Sequence, residues 1–143
     1  MTTTERQGHR LILIGASLFL FALFLGLAIP FFAVPRLGLS SHLLAISQGL
    51  YLMIAGLVWP RLNLTEGRLR MAFATLVCGC FAALIGNVLA ATMGAGNQLL
   101  SLAAGTAHGT RLQELVIAIA LRAGGAMLIL GTGFFVWGLR SHR

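Results

Sequence analysis

Long apolar runs alternate with short polar links along this chain. The runs cover residues 11–34, 41–59, 71–93 and 112–139, and each reaches roughly the 20 residues a helix needs to cross a hydrocarbon core. No ten-residue stretch alternates polar with apolar as a transmembrane strand would. In lipid the backbone must satisfy its own N–H and C=O groups, which leaves helices. The pattern predicts an all-α integral membrane four-helix bundle, a single transmembrane domain over residues 1–143. The first run is too long for the ~7–15-residue apolar part of a secretory signal.

Punctuation refines the picture. Pro30 is placed to kink or end the first helix and Pro60 to close the second. The one long link, 94–110, is rich in Gly, Ser, Asn and Thr and reads as an ordered or re-entrant cap. Gly124, Gly131 and Gly138 recur every seven residues, a seam along which two helix backbones can approach closely.

Composition then removes whole classes of function. Of 143 residues, 58% are hydrophobic and 9% charged, against about 25% charged in a soluble domain. The net charge of +7 comes from ten arginines and three glutamates. The arginines sit in the links rather than on one face, so no nucleic-acid surface is expected. Arg6, Arg10, Arg61, Arg68, Arg70, Arg140 and Arg143 fall on one side of a four-span topology, and only Arg36 and Arg111 on the other. By the positive-inside rule both termini are cytoplasmic, with Trp59 and Trp137 expected as headgroup anchors at inner helix ends. The expected location is a bacterial inner membrane, crossed several times.

Polar groups within the spans are costly and hence functional candidates. They are His42, Gln48 and Tyr51 on the second span, Asn87 on the third and Arg122 on the fourth. At the helical rise, Gln48 lies roughly 10 Å, Asn87 roughly 9 Å and Arg122 about 15 Å below the outer helix ends. Ala45, Gly49 and Gly56 share the His42 face, leaving room for either a neighbouring helix or a flat macrocycle. Gln48 and Tyr51 stand roughly 120–180° around the helix from His42, so one helix does not easily present both to one ligand, whereas His42 of one subunit and Gln48 of its neighbour could face it together. Arg122 reads as a satisfied buried charge, a snorkelling residue or an anion clamp, with Glu114 or a cofactor carboxylate as partner. Asn87 suits interhelical hydrogen bonding.

Cys78 and Cys80 point to different faces, a poor metal clip that cannot close an ordinary disulfide, and are read as small buried residues. His9 and His142 fall on the tails. His108 lies in the cap beside Arg111 and Glu114 as a secondary candidate. There is no Ser/His/Asp set, phosphate loop, carboxylate pair or HExxH, so no hydrolase machinery is visible.

Several segments resemble the hydroxylaminobenzene mutase family and, more distantly, the styrene oxide isomerases. They are Glu5-Arg6-Gln7-Gly8-His9-Arg10-Leu11, Gly38-Leu39-Ser40-Ser41-His42-Leu43, Gly56-Leu57-Val58-Trp59-Pro60-Arg61-Leu62 and Ala107-His108-Gly109-Thr110-Arg111-Leu112-Gln113-Glu114. The resemblance implies a homotrimer with ferric haem b at subunit interfaces and His42 as the axial ligand. It puts Gln48 where the isomerases carry a substrate-contacting Asn, and Asn87 where they carry a catalytic Tyr. Where mutase-like sequences tend to have an Asn on the third helix, this chain has Ala83. Gln48 and Asn87 are expected to orient a small aromatic substrate with support from Tyr51, and Ala45 and Gly49 to flank the haem. Arg111 or Arg122 is expected to pair its propionates.

The implied activity is rearrangement of an aryl hydroxylamine to an aminophenol with no net redox change, the alternative substrate being an aryl epoxide. Two non-enzymatic readings remain beside it, a haem-binding electron-transfer subunit and a small transporter.

Overall fold

The computed structural model describes residues 2–140. It is helical, with α1 over Thr3–Ala28, α2 over Pro35–Val58, α3 over Glu66–Met93, a short α4 over Asn97–Ala104 and α5 over Arg111–Arg140. No strand occurs among the described residues. The four long helices are long and apolar enough to cross a membrane, and they coincide with the four apolar runs.

Local chemistry moves several of the expected boundaries. α1 begins eight residues before its apolar run because Thr2 and Glu5 form a reciprocal cap: Glu5 N–H donates to Thr2 Oγ1 at 3.2 Å and Thr2 N–H to Glu5 Oε2 at 2.8 Å. That arrangement satisfies two of the first-turn donors that a helix otherwise leaves open. Near Pro30 the α-helix gives way to a tight 3-10 turn over Ile29–Phe31, so the first helix ends well before residue 34. Pro35 then opens α2 from its first turn, where a missing N–H costs nothing. A second 3-10 turn, Trp59–Arg61, closes α2 at Pro60. α3 ends at Gly94, whose φ of 63° is left-handed, the usual glycine stop for a helix.

Two antiparallel hairpins make the bundle. In the first, α1 and α2 meet at heptad-spaced positions: Gly8 against Gly56, Gly15 against Gly49, and Ala22 against His42. A Cβ at Gly15 would stand 2.6 Å from the Gly49 carbonyl oxygen and one at Gly8 would stand 2.7 Å from that of Gly56, so the two backbones are in contact. In the second hairpin, a Cβ on Gly124 would lie 2.6 Å from the Ala83 nitrogen, and one on Gly131 would lie 2.7 Å from Leu76. The expected glycine seam on the last helix is therefore real. Its third member, Gly138, meets Leu62 and Leu64 of the α2–α3 link.

α2 and α3 join the hairpins, giving the order α1, α2, α3, α5 across the bundle. α1 and α3 touch so little that an apolar groove of about 520 Å³ opens between them, walled by Leu18, Phe21, Phe81, Leu84 and Val88.

Gly8 packs beside Trp59 and Pro60, and Gly138 beside Leu62 and Leu64, so both ends of the described chain lie on one side. On that side Trp59 is fully buried. Its indole N–H donates to Gln7 Oε1 at 3.1 Å, and its ring lies against Phe73 and Phe135. It is a core residue and not the headgroup anchor its position at a helix end suggested. Trp137 does stand half-exposed, with the Arg68 guanidinium 4.5 Å from its ring centre. Such an arrangement is favourable for a cation.

Candidate functional site

The first half of the candidate site is His42. It lies on the second turn of α2, and its Nδ1 is 2.7 Å from the Ala22 carbonyl oxygen of α1. A carbonyl can only accept, so Nδ1 carries the proton and Nε2 keeps its lone pair. Metal-ligating imidazoles are held in this way, the second nitrogen bonded to a backbone carbonyl or carboxylate. The ring is seated over Gly26, where a Cβ would come within 2.8 Å of Cε1. Its sequence neighbours Leu39 and Leu43 are exposed, so the imidazole is on the flank of the hairpin turned away from α3.

The small residues beside His42 do not open a surface for a macrocycle. Ala45 is fully buried in the core, and Gly49 is in backbone contact with Gly15 and Phe19. The space they create is filled by α1, which corrects their expected place against a cofactor and answers the choice between helix and macrocycle in favour of the helix.

The second half is on the opposite face of α2. Gln48 is only 6% exposed, and neither its Nε2 nor its Oε1 has a hydrogen-bond partner. An amide buried without partners costs on the order of 1–3 kcal/mol, which is the strain expected of a group kept for a ligand. Two turns towards the N-terminal end of α2, Ser41 Oγ reaches Asn87 Oδ1 at 3.3 Å while also donating to the Leu37 carbonyl at 3.0 Å. Asn87 Nδ2 is 3.5 Å from Ser40 Oγ. Asn87 thus joins α3 to α2, the interhelical role expected of it. Towards the C-terminal end of α2, Tyr51 Oη and Thr132 Oγ1 lie 2.8 Å apart, a polar link between α2 and α5. Thr132 had no signal in the sequence, because a lone Thr on an apolar helix commonly bonds its own helix backbone.

Within one chain, Ser41 and Asn87 come together, and Tyr51 has Thr132. His42 joins neither group, as its angle around α2 predicted.

Arg122 and Glu114 are not a pair. Glu114 is buried and accepts four backbone N–H bonds, from Gly96 at 2.9 Å, Asn97 at 3.3 Å, Gln98 at 3.2 Å and Gly109 at 3.1 Å. It caps the α4 N-terminus and ties the 94–110 link into an ordered lid, as that link's composition suggested. Arg122 is exposed on α5, which excludes the buried-charge reading. Arg111 and His108 are exposed in or beside the lid. Of the cysteines, Cys80 is buried and Cys78 is exposed, so only one fits the expectation of a small core residue. His9 is exposed on α1, and His142 lies outside the described residues. No group of three metal-ligating side chains occurs among the described residues.

The styrene oxide isomerase family profile matches residues 7–140. The chain is 40% identical over 140 residues to the hydroxylaminobenzene mutase HabB of Ectopseudomonas oleovorans, covering 98% of this chain and 85% of that protein. It is also 40% identical over 107 residues to HabA of the same organism, covering 75% of this chain and 79% of that one. No solved structure matches it. Four membrane-spanning helices, a paired polar face on α2 and these likenesses make the chain an isomerase belonging to the styrene oxide isomerase family.

Proposed function

We propose that the protein rearranges an aryl hydroxylamine to an aminophenol in a bacterial inner membrane, with haem b held by His42. The likeness to the two mutases selects the reaction. The geometry contributes one observation, an imidazole whose Nδ1–H is fixed on the Ala22 carbonyl so that Nε2 is left to a metal. The haem, when bound as the ferric form, supplies a Lewis acid for the N–O oxygen.

The balance needs no donor or acceptor of electrons. An N–O bond breaks, an aryl C–O bond forms, and the displaced ring proton ends on nitrogen, so substrate and product share one formula. Gln48, the unsatisfied amide, orients the polar end of the substrate. Asn87 is held by Ser40 and Ser41 in position to assist, and Tyr51 supports α2 through Thr132. Arg111 and Arg122 are the cations for the haem carboxylates. The apolar groove between α1 and α3 gives an aromatic molecule dissolved in the bilayer a lateral approach to the bundle.

The test is conversion of phenylhydroxylamine by haem-loaded protein to a product of identical mass, without added reductant or oxidant. Gln48→Ala should lower turnover by roughly 10²-fold, the scale of a lost orienting contact, while haem content is unchanged. An aryl epoxide is tested in parallel, because the match to the epoxide-isomerase family makes it the second reading. A strict requirement for an electron donor, or no isomer from either substrate at full haem occupancy, would overturn the proposal.

The same reading takes both termini as cytoplasmic. Reporters fused at either end should then be active in the cytoplasm, and one inserted within residues 94–110 should report the outer side. A C-terminal reporter active outside would reverse the topology.

A further inference from the structure

The polar opening of α1 has no part in the reaction proposed above. Arg6 and Arg10 are exposed there, and neither guanidinium has a hydrogen bond or ion pair among the described residues. No side-chain carboxylate is left for them. Glu5 closes the α1 cap, Glu66 pairs with Arg70 at 3.3 Å, and Glu114 is taken by four backbone N–H groups. A second copy brings the same three committed groups, so an anion that meets these arginines comes from outside the protein.

Their angle on α1 ties them to the groove between α1 and α3. At 100° per residue, Arg6 and Arg10 share a stripe about 80° wide with Leu13, Ser17 and Phe21, and those three side chains line the groove. Phe81 and Ile85 line it from α3. Leu13, Phe21, Phe81 and Ile85 are all exposed, so the groove is open to the bilayer. Arg10 stands where the apolar run begins, at the end of the bundle where both ends of the described chain lie. From Arg10 to Phe21 the helix rises roughly 16 Å, close to the depth of one leaflet in a hydrocarbon core ~30 Å thick. Two cations at headgroup level, above one leaflet's depth of apolar groove, match a charged lipid in both length and chemistry.

We propose that the α1–α3 groove holds an acyl chain of an anionic phospholipid, whose phosphate is bound by Arg6 and Arg10. The planar fork of an arginine suits phosphate oxygens, and basic side chains beside a span favour anionic headgroups. The acyl chain fills the gap that arises because α1 and α3 scarcely touch. A neutral aromatic substrate enters by displacing that chain and has no charge to offer the arginines.

Native mass spectrometry tests it on the full chain, extracted from vesicles of phosphatidylglycerol and phosphatidylethanolamine in equal proportion. Wild-type protein should retain one phosphatidylglycerol per chain and little phosphatidylethanolamine. Arg6→Gln with Arg10→Gln should lower that preference roughly tenfold or more, the scale of two arginines beside an anionic headgroup. Ser17→Trp fills the groove from an exposed position and should expel the lipid with both arginines intact, its helical circular dichroism and melting matching wild type. Equal retention of the two lipids by wild type, no retained lipid, or an unchanged preference in the arginine variant would overturn the headgroup seat. A retained lipid in folded Ser17→Trp protein would overturn the place of the acyl chain. Phe21→Cys, in a background with Cys78→Ser and Cys80→Ala, should stay monomeric on a denaturing gel after oxidation in membranes. Disulfide-linked dimers there would mean that a second copy covers the groove, and would overturn the lipid as its occupant. None of these readouts involves haem or turnover, so each outcome leaves the isomerase reading untouched.

Discussion

The His42→Ala protein is expected to show no Soret band and no turnover, while still inserting into the membrane and migrating as a folded protein. The imidazole has its Nδ1 held 2.7 Å from the Ala22 carbonyl, which leaves Nε2 outside that bond. Its structural contribution is a single hydrogen bond, about 1 kcal/mol, so the fold should survive its removal. Absorbance of the detergent-purified variant measures the outcome directly. Gly26→Ala provides a graded control. The added methyl would lie 2.8 Å from Cε1 and 3.0 Å from Nδ1 of His42, so the ring must shift and haem should bind more weakly without being lost. A His42→Ala protein that retains haem with an unaltered spectrum would transfer the ligand role elsewhere, to His108 first.

The Glu114→Ala substitution should melt the lid. One carboxylate accepts the N–H groups of Gly96, Asn97 and Gln98, the opening donors of α4, and also that of Gly109 at the far end of the same link. Hydrogen bonds to a charged acceptor each contribute roughly 1.5–3 kcal/mol. An eight-residue helix is far below the length that persists by itself in water. Amide exchange at residues 96–98 and 109 should therefore accelerate by about 100-fold or more, which corresponds to about 2.7 kcal/mol of local stability. Glu114→Gln keeps an oxygen acceptor and should fall between. Exchange in the four long helices should be nearly unaffected, since Glu114 makes no bond to α1, α2 or α3. Unchanged exchange at those four amides would show that the lid is held by its apolar contacts alone, through Ala104 and Leu100 against Ile117 and Leu37.

The spans were legible because apolar length is a direct physical requirement of the bilayer, and Pro30, Pro60 and the 124/131/138 glycines carried their meaning without tertiary information. The angular separation of His42 from Gln48 was equally legible, being a property of one helix. What failed to show depends on contacts between distant segments. Trp59 looked interfacial from its place at a helix end, yet Gln7 and two phenylalanines enclose it. Glu114 looked like a partner for Arg122 because both lie on one helix, and only the folded lid reveals its backbone ligands. Ala45 and Gly49 permitted either a helix or a macrocycle, and the complementary Gly15 on α1 decides between them. The polar start of α1 was missed because a capping box extends a helix where no apolar pattern marks it.

The glycine-sealed first hairpin has a consequence for biogenesis. Its connection is only residues 32–34, and its seam is local in sequence, so α1 and α2 can zip together as a finished unit before α3 has left the ribosome. His42 is on that unit together with the Ala22 carbonyl that fixes its ring. The second hairpin then docks through few polar bridges, Ser41 to Asn87 and Tyr51 to Thr132. The hydrogen bond that seats the His42 ring therefore belongs to the first hairpin alone and needs no contact from α3 or α5 to form.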